Sequence, residues 1–444
     1  MKQIIEKARK LAIPSKKLQH ENTKAAKIAF DLVREQVSKY PQLTGVEFGG
    51  SYAKGTWLPK KADVDIFIKF EKSTLDKMFV EISKKIGFDS MKKFKPYVRY
   101  SEHPYVEATI KGTKVNVVPC YDVKIGEWQS AADRSPYHTK FMLETLTGTM
   151  KDEVRLLKNF LLSNNIYGSE IAKQGFSGYI TEVLILHYRS FEDVIKAIAR
   201  LEKNQVIGKA SKKFDTSIII IDPIDSNRNL GAAISNENVG KFVLASRAFL
   251  KKPSLSFFKP QQKPRIFKKN LEDTIVVQFS YKPRSPDIIW GQIKRAANSL
   301  AIQMEVDGFH VLRNSGVIDE KNHAYLIFLM QSLKIDENFL REGPDFFFEE
   351  DSETYITKNS KNSMMWIGPN RKILSLKKRR QNDVSLFLKD LLKNHLNKSG
   401  IPKGLKDDIR KRFNVIPAKK AVGKSIKEAV AELVSTDATI LSFN

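Results

Sequence analysis

Apolar residues recur at helical spacing through the first forty positions: Ile4, Ile5, Ala8 and Leu11, then Ala25, Ile28, Ala29, Leu32, Val33 and Val37. That period predicts two amphipathic helices broken near Pro14, where a locked φ and a missing N–H interrupt helical hydrogen bonding. The pattern then changes. VEFGGS reads as a short strand running into a Gly-bearing turn, and DVDIFIKF alternates Val64, Ile66 and Ile68 with Asp63, Asp65 and Phe67, a strand with one buried face. YVEATI, KGTK and VNVVP read as a hairpin. With Gly112 and Thr113 at its tip, Lys111 faces Lys114 and Glu107 becomes a diagonal neighbour of Asn116 on one face.

Residues 150–205 read as helical, followed by SIIIIDP as an isolated apolar strand. Past 250, PSLSFFKP and KPRSPD resemble boundary segments, TIVVQFSY and AYLIFLMQ read as strands, and PDIIWGQIKRAANSLAIQME as the helix between them. Residues 371–420 hold sixteen Lys or Arg against four Asp or Glu, a run that suits either a solvated face or an RNA contact. No internal repeat is visible.

Composition narrows the class. Of 444 residues, 41% are apolar and 10% aromatic, enough burial to offset chain entropy across several modest cores. Lys and Arg exceed Asp and Glu by 76 − 50 = 26, a surplus that stability does not require and a polyanionic partner explains. Nucleic acid is the first candidate and an anionic membrane surface the second. No apolar run reaches the roughly 18 to 20 residues of a membrane span, and MKQIIEKARKLAIPSKK lacks the apolar centre of a signal peptide. The single cysteine, Cys120, excludes an internal disulfide and a Cys-based zinc cluster, so a cytoplasmic protein is expected.

The candidate chemistry lies in Gly49-Gly50-Ser51-Tyr52-Ala53-Lys54 and the nearby Asp63-Val64-Asp65. Carboxylates at i and i+2 of one strand face the same way and can share divalent cations, for which hard oxygen ligands and magnesium suit phosphate chemistry. The Gly-Ser turn can offer N–H groups and the Ser51 hydroxyl to triphosphate oxygens, with Lys54 neutralising charge. An Asp-x-Asp alone would equally fit an exposed edge with solvated carboxylates; its spacing from GGS and Lys54 favours a nucleotide site.

GGSYAKGTW followed by DVD resembles the nucleotidyltransferase signature of the DNA polymerase beta superfamily. EHPYVEATIKGTKVNVVPCYDV, DRSPYHTKFM, EVRLLKNFLLSNNIYGSE, GFSGYITEVL, DPIDSNRN and PSLSFFKP resemble, in order, the archaeal class I tRNA CCA-adding enzymes, with looser likeness from 260 onward. The resemblance implies an α+β multidomain protein: a polymerase beta-like nucleotidyltransferase head over 1–145, a helical neck over 146–252 carrying base recognition, and an α+β body and tail over 253–444. It implies untemplated addition of C, C and A to tRNA from CTP and ATP, with two magnesium ions and with the tRNA acceptor arm and T-loop region as partner. It also admits a homodimer and no membrane partner. Carried over by position, Asp63 and Asp65 bind the metals, and Gly50, Ser51 and Lys54 hold the triphosphate. Ser135, His138, Lys158 and Tyr167 match triphosphate and ribose contacts, and Arg228 matches an arginine that reads the incoming base with RNA phosphates. Outside that context Lys158 would read as a snorkelling surface lysine and His138 as a satisfied loop histidine.

One position departs from the family. The third catalytic and metal-binding carboxylate falls at Asn116, a neutral amide with one oxygen ligand and no useful basicity. An engineered Asp-to-Asn change that traps substrate complexes, a natural binding-only relative, and replacement by a neighbour such as Glu107 all account for it. Narrower activities, poly(A) polymerase-like or CC-only, remain alternatives to full CCA addition.

Overall fold

The computed structural model describes residues 1–59, 61–99, 103–260, 266–361 and 363–443. Glu102, which opens the EHPY block, lies outside them. The chain divides into two compact units: Met1–Lys263 with Ser285–Asp287 and Asp437–Asn444, and Pro264–Arg284 with Ile288–Thr436.

Pro14 does more than break a helix. Helix α1 (Lys2–Ala12) and helix α2 (Lys16–Val37) flank it, and the Ser15 hydroxyl caps α2 by accepting from the Leu18 amide at 3.3 Å. The two helices then serve different cores: Ile5 and Ala8 of α1 join the helical part of the unit, whereas Ala25, Ala26, Ala29 and Val33 of α2 cover the sheet.

Strand β1 (Leu43–Gly49) leads into a short helix, α3 (Gly50–Lys54), where the sequence suggests only a turn. Strand β2 (Val64–Glu71), helix α4 (Asp76–Met91) and strands β3 (Tyr97–Arg99), β4 (Tyr105–Ile110) and β5 (Thr113–Asp122) follow. Among the described residues these strands form one sheet in the order β1-β2-β5-β4-β3, in which only β2 and β5 run parallel. Val64, Ile66, Ile68 and Phe70 point to the core beneath α2 and α4, so period two places Asp65 on the other face. Asp63 immediately precedes the strand.

The β4–β5 hairpin differs from the expected register. Lys111 and Gly112 both have positive φ, 49° and 84°, and form a two-residue turn, so Ile110 pairs with Thr113 and Glu107 pairs directly with Asn116. The predicted shared face of Glu107 and Asn116 holds; the diagonal relation does not.

Helices α5 (Arg134–Thr145), α6 (Gly148–Ser163), α7 (Gly178–Tyr188) and α8 (Phe191–Ala199) come next, then strands β6 (Val206–Ile207), β7 (Ile219–Asp222) and β8 (Asp225–Asn229), and helix α9 (Asn236–Lys251). The SIIIIDP strand is therefore not isolated: β7 lies between β6 and β8. PSLSFFKP ends three residues before the change of unit at Lys263–Pro264, and its side chains pack on the first unit: Phe257 and Phe258 are buried among the α6, α8 and α9 side chains and the Phe257 carbonyl accepts from Asn164 at 3.2 Å.

The second unit starts with helix α10 (Lys268–Glu272), strand β9 (Thr274–Ser280), helix α11 (Pro286–Val306), strand β10 (Val311–Ile318) and strand β11 (His323–Met330). Strand β12 (Asn338–Asp345), helix α12 (Glu349–Asn359), strands β13 (Met364–Ile367) and β14 (Lys372–Lys378), helices α13 (Val384–Asn394) and α14 (Lys403–Lys411), strand β15 (Phe413–Pro417) and helix α15 (Lys424–Leu433) complete it. Its main sheet runs β10-β11-β9-β15 among the described residues. Alternation in TIVVQF sends Ile275, Val277 and Phe279 to one core and Val276 to another, so the sheet is covered on both faces. Helix α16 (Ala438–Leu441) and Phe443 return to the first unit. Among the described residues no helix is long and apolar enough to cross a membrane.

Candidate nucleotide and metal site

The register of the first sheet sets five residues in one row across β1, β2, β5, β4 and β3: Gly49, Asp65, Asn116, Glu107 and Tyr97. Asn116 Nδ2 donates to Asp65 Oδ1 at 2.8 Å. Only the amide nitrogen can face an ionised carboxylate, so the amide oxygen points away, buried and without a hydrogen-bond partner. Gly50, with φ of 65°, closes the row from above: a Cβ there would lie 2.0 Å from Asp65 Oδ2. A side chain at that position would occupy the space of the carboxylate.

Burial pushes Asp63 above the ordinary aspartate range, with Lys114 opposing and Glu107 assisting. Burial also raises Asp65, against the Asn116 hydrogen bond and with the repulsion of Asp63. Two desolvated carboxylates beside an unpartnered amide oxygen form a set of hard oxygen donors short of positive charge, which fits a divalent cation such as magnesium. Among the described residues no group of three or more His, Cys, Asp or Glu side chains converges as a cation cage, in keeping with the amide at 116. Glu107 is not free to complete one. Its carboxylate accepts from the Tyr97 hydroxyl and from Arg99 Nε at 3.3 Å.

A second cluster forms behind α3. Lys54, expected at the triphosphate, and Lys158, matched by resemblance to triphosphate and ribose contacts, are both buried and meet on Glu182 of α7: Lys54 Nζ lies 2.5 Å from Oε2 and Lys158 Nζ 3.3 Å from Oε1. Thr56 donates its hydroxyl to Glu182 Oε1 at 2.5 Å, and its carbonyl and hydroxyl oxygens each accept from Lys158 at 3.1 Å. Lys158 is thus no snorkelling surface residue. Burial pulls it down to about 8 while Glu182 resists. Burial pushes Glu182 up, but the two ammonium groups and the Lys54 and Thr56 hydrogen bonds outweigh it, so the carboxyl ends below its ordinary value. Tyr167 packs beside this cluster, where a Cβ on Gly178 would lie 3.0 Å from its hydroxyl and 3.4 Å from Lys158 Nζ.

A third cluster centres on Asp222, at the end of β7. His138 Nε2 and Arg228 Nη1 lie 3.0 and 2.9 Å from its Oδ2, while the Tyr179 hydroxyl and the Ile224 amide donate to Oδ1 at 3.0 and 3.1 Å. His138 stacks on Tyr179 with ring centroids 3.8 Å apart. Burial lowers the His138 pKa against the pull of Asp222. Burial raises Asp222, and the contacts from His138, Ile224 and Arg228 overcome it, leaving a net depression.

The clusters adjoin. Lys54 Nζ lies 5.6 Å from the centre of the Tyr179 ring, and its charge acts on both Asp65 and His138. Ser51 sits on α3, where its carbonyl accepts from the Thr56 amide at 2.9 Å; Ser135 sits in the first turn of α5, three residues before His138. Sequence reasoning missed Glu182, Asp222, Tyr179 and Thr56. A detectable signal existed for Glu182: a lone carboxylate inside the apolar run GYITEVLILHY.

Three family profiles match the chain: "Nucleotidyltransferase domain" over residues 31–141, "tRNA nucleotidyltransferase, second domain" over 152–259 and "CCA-adding enzyme, C-terminal domain" over 272–418. The CCA-adding enzyme of Pyrobaculum islandicum is 33% identical over 408 residues, covering 90% of this chain and 94% of its own. That of Pyrobaculum neutrophilum is 38% identical, covering 78% and 83%. That of Saccharolobus shibatae is 33% identical, covering 83% and 88%.

Proposed function

The chain belongs to the CCA-adding enzymes, which are tRNA nucleotidyltransferases, and on that premise we propose that it adds C, C and A to the tRNA 3′ end from CTP and ATP, untemplated and with release of pyrophosphate. The observation that supports this most is the adjacency of three unlike clusters: a carboxylate row for metal, two lysines beside the α3 turn for triphosphate, and an anchored arginine for the base.

In this reading Asp63 and Asp65 would hold magnesium, with the Asn116 oxygen as a further ligand once its amide turns from Asp65, and the ion would lower the pKa of the attacking 3′-hydroxyl and carry charge on the leaving pyrophosphate. Gly50 gives Asp65 its space. Ser51 and Lys54 bind the triphosphate, Lys158 adds positive charge behind them, Ser135, His138 and Tyr167 line the triphosphate and ribose, and Arg228 presents guanidinium donors to the base. Asp222 keeps that guanidinium oriented. The +26 surplus supports binding of the acceptor arm and T-loop region of tRNA.

Asn116 favours a second reading, a tRNA-binding relative whose chemistry is largely silent. Incubating tRNA that lacks its 3′ CCA with CTP, ATP and magnesium, for this chain and for Asn116→Asp, separates the two. The first reading expects addition of all three nucleotides by both forms, faster with the carboxylate. No addition by this chain alongside robust addition by Asn116→Asp establishes the silent relative, and no addition by either overturns both. Separate reactions with single nucleotides identify a CC-only or poly(A)-like product.

A further inference from the structure

Glu182 has no solvent exposure, and its neighbours on α7, Ile180, Thr181, Val183, Leu184 and Ile185, are buried as well. An apolar residue would satisfy such a position without the desolvation cost of an ionised carboxylate, so the charge answers to something other than helix packing. What it meets is lopsided. One carboxylate takes hydrogen bonds from two ammonium groups, Lys54 and Lys158, so one ammonium has no bonded carboxylate of its own, and the next negative charge that Lys54 acts on is Asp65. A buried ammonium that shares its bonded carboxylate favours a further anion beside it.

The two lysines are not equivalent. Lys158 is held by three acceptor atoms, the Thr56 carbonyl, the Thr56 hydroxyl and Glu182 Oε1. Lys54 has one hydrogen-bond acceptor among the described residues, Glu182 Oε2, though an ammonium carries three donors. Lys54 also closes α3, which carries Gly50 and Ser51, and its charge is felt at Asp65. It is the cation poised to change partners.

We propose that Glu182 is a positioning residue that competes with the nucleotide triphosphate for Lys54. Without nucleotide it holds the Lys54 ammonium beside α3. When the triphosphate arrives, Lys54 passes to the phosphate oxygens, and Glu182 with Lys158 remains as a neutral pair. The exchange matches the surplus charge with the ligand's own and leaves no buried ion unpaired. This rests on the assignment of Lys54 as a triphosphate contact.

Titration calorimetry of the full chain with inorganic tripolyphosphate tests it, using Glu182→Gln, Lys54→Met and the double variant, with thermal unfolding of each. Glu182→Gln removes the competitor but keeps the shape and a hydrogen bond to Thr56, so tripolyphosphate should bind about tenfold more tightly, the effect of one charged hydrogen bond no longer broken on binding. Lys54→Met should weaken binding, and in the double variant the gain from Glu182→Gln should vanish. A purely structural Glu182 predicts the reverse sign: a lower melting temperature with weaker binding. If Lys54→Met weakens binding while Glu182→Gln leaves it unchanged or weaker, the competition is wrong. If Lys54→Met has no effect in either background, the assignment of Lys54 itself fails. Should Glu182→Gln not fold, Glu182→Asp, whose shorter carboxylate reaches Lys54 less well, should tighten binding in the same direction by a smaller factor, and weaker binding by that variant would overturn the proposal.

Discussion

Asn116 spends its amide N–H on Asp65 Oδ1, 2.8 Å away across the parallel β2–β5 pair, and leaves its own oxygen buried without a partner. A carboxylate at 116 could not make that bond in its ionised form. The amide therefore adds no third negative charge to the row, and lacks the charge and basicity that a carboxylate at 116 would have.

Asn116→Asp should accordingly raise magnesium-dependent nucleotide addition by about 10²- to 10⁴-fold, the usual contribution of a base or ligand in such a role. The same change should lower the melting temperature in chelator and restore it with magnesium, since three desolvated carboxylates then lack counter-charge. Single-turnover extension of CCA-less tRNA and thermal melts with and without magnesium check the two halves.

Gly50→Ala is expected to abolish addition while the protein still folds. Its Cβ would lie 2.0 Å from Asp65 Oδ2, and its φ of 65° adds a penalty of about 1 to 2 kcal/mol for any residue with a Cβ. Circular dichroism and magnesium-dependent CTP binding separate the lost site from a lost fold.

Arg228→Ala should erode discrimination between CTP or ATP and the unwanted GTP and UTP more than it weakens triphosphate affinity. Asp222→Asn should act in the same direction, because it releases the guanidinium held at 2.9 Å while leaving Lys54 and Lys158 in place. Equal loss of affinity for all four nucleotides would remove Arg228 from base reading.

Acidification should destabilise the first unit through His138 and Asp222. Both have folded pKa values below their ordinary ones, so the unfolded chain binds more protons in each window. Stability is then fully present above pH 6.5 for His138 and above 3.8 for Asp222, and is lost as pH falls from those values through the folded pKa. His138→Gln should flatten the stability profile just below pH 6.5, read by urea unfolding across pH.

Affinity for tRNA should fall steeply with salt, the slope of log K against log salt counting the phosphates neutralised. Single lysine substitutions in 371–420 should each change that slope by about one or less. A flat response would show that the surplus charge does not serve RNA.

The local patterns of the chain determined much of this molecule. Alternation in DVDIFIKF set Asp65 opposite a buried face, the helical period placed α1, α2 and α6, and GGS near Asp-x-Asp singled out the stretch where Gly50 and Asp65 meet, since each depends on neighbours a few residues apart. The tertiary structure decided the rest. Pro14 separates two helices that enter different cores, and the positive φ of Lys111 and Gly112 brought Glu107 directly opposite Asn116, where Tyr97 and Arg99 then engaged it. The partners of the charged residues also came only from folding: Lys54 reaches Glu182 across 128 positions and His138 reaches Asp222 across 84. A sequence carries no local period for such pairs, because burial that makes one ion demand another arises only when distant segments close around both.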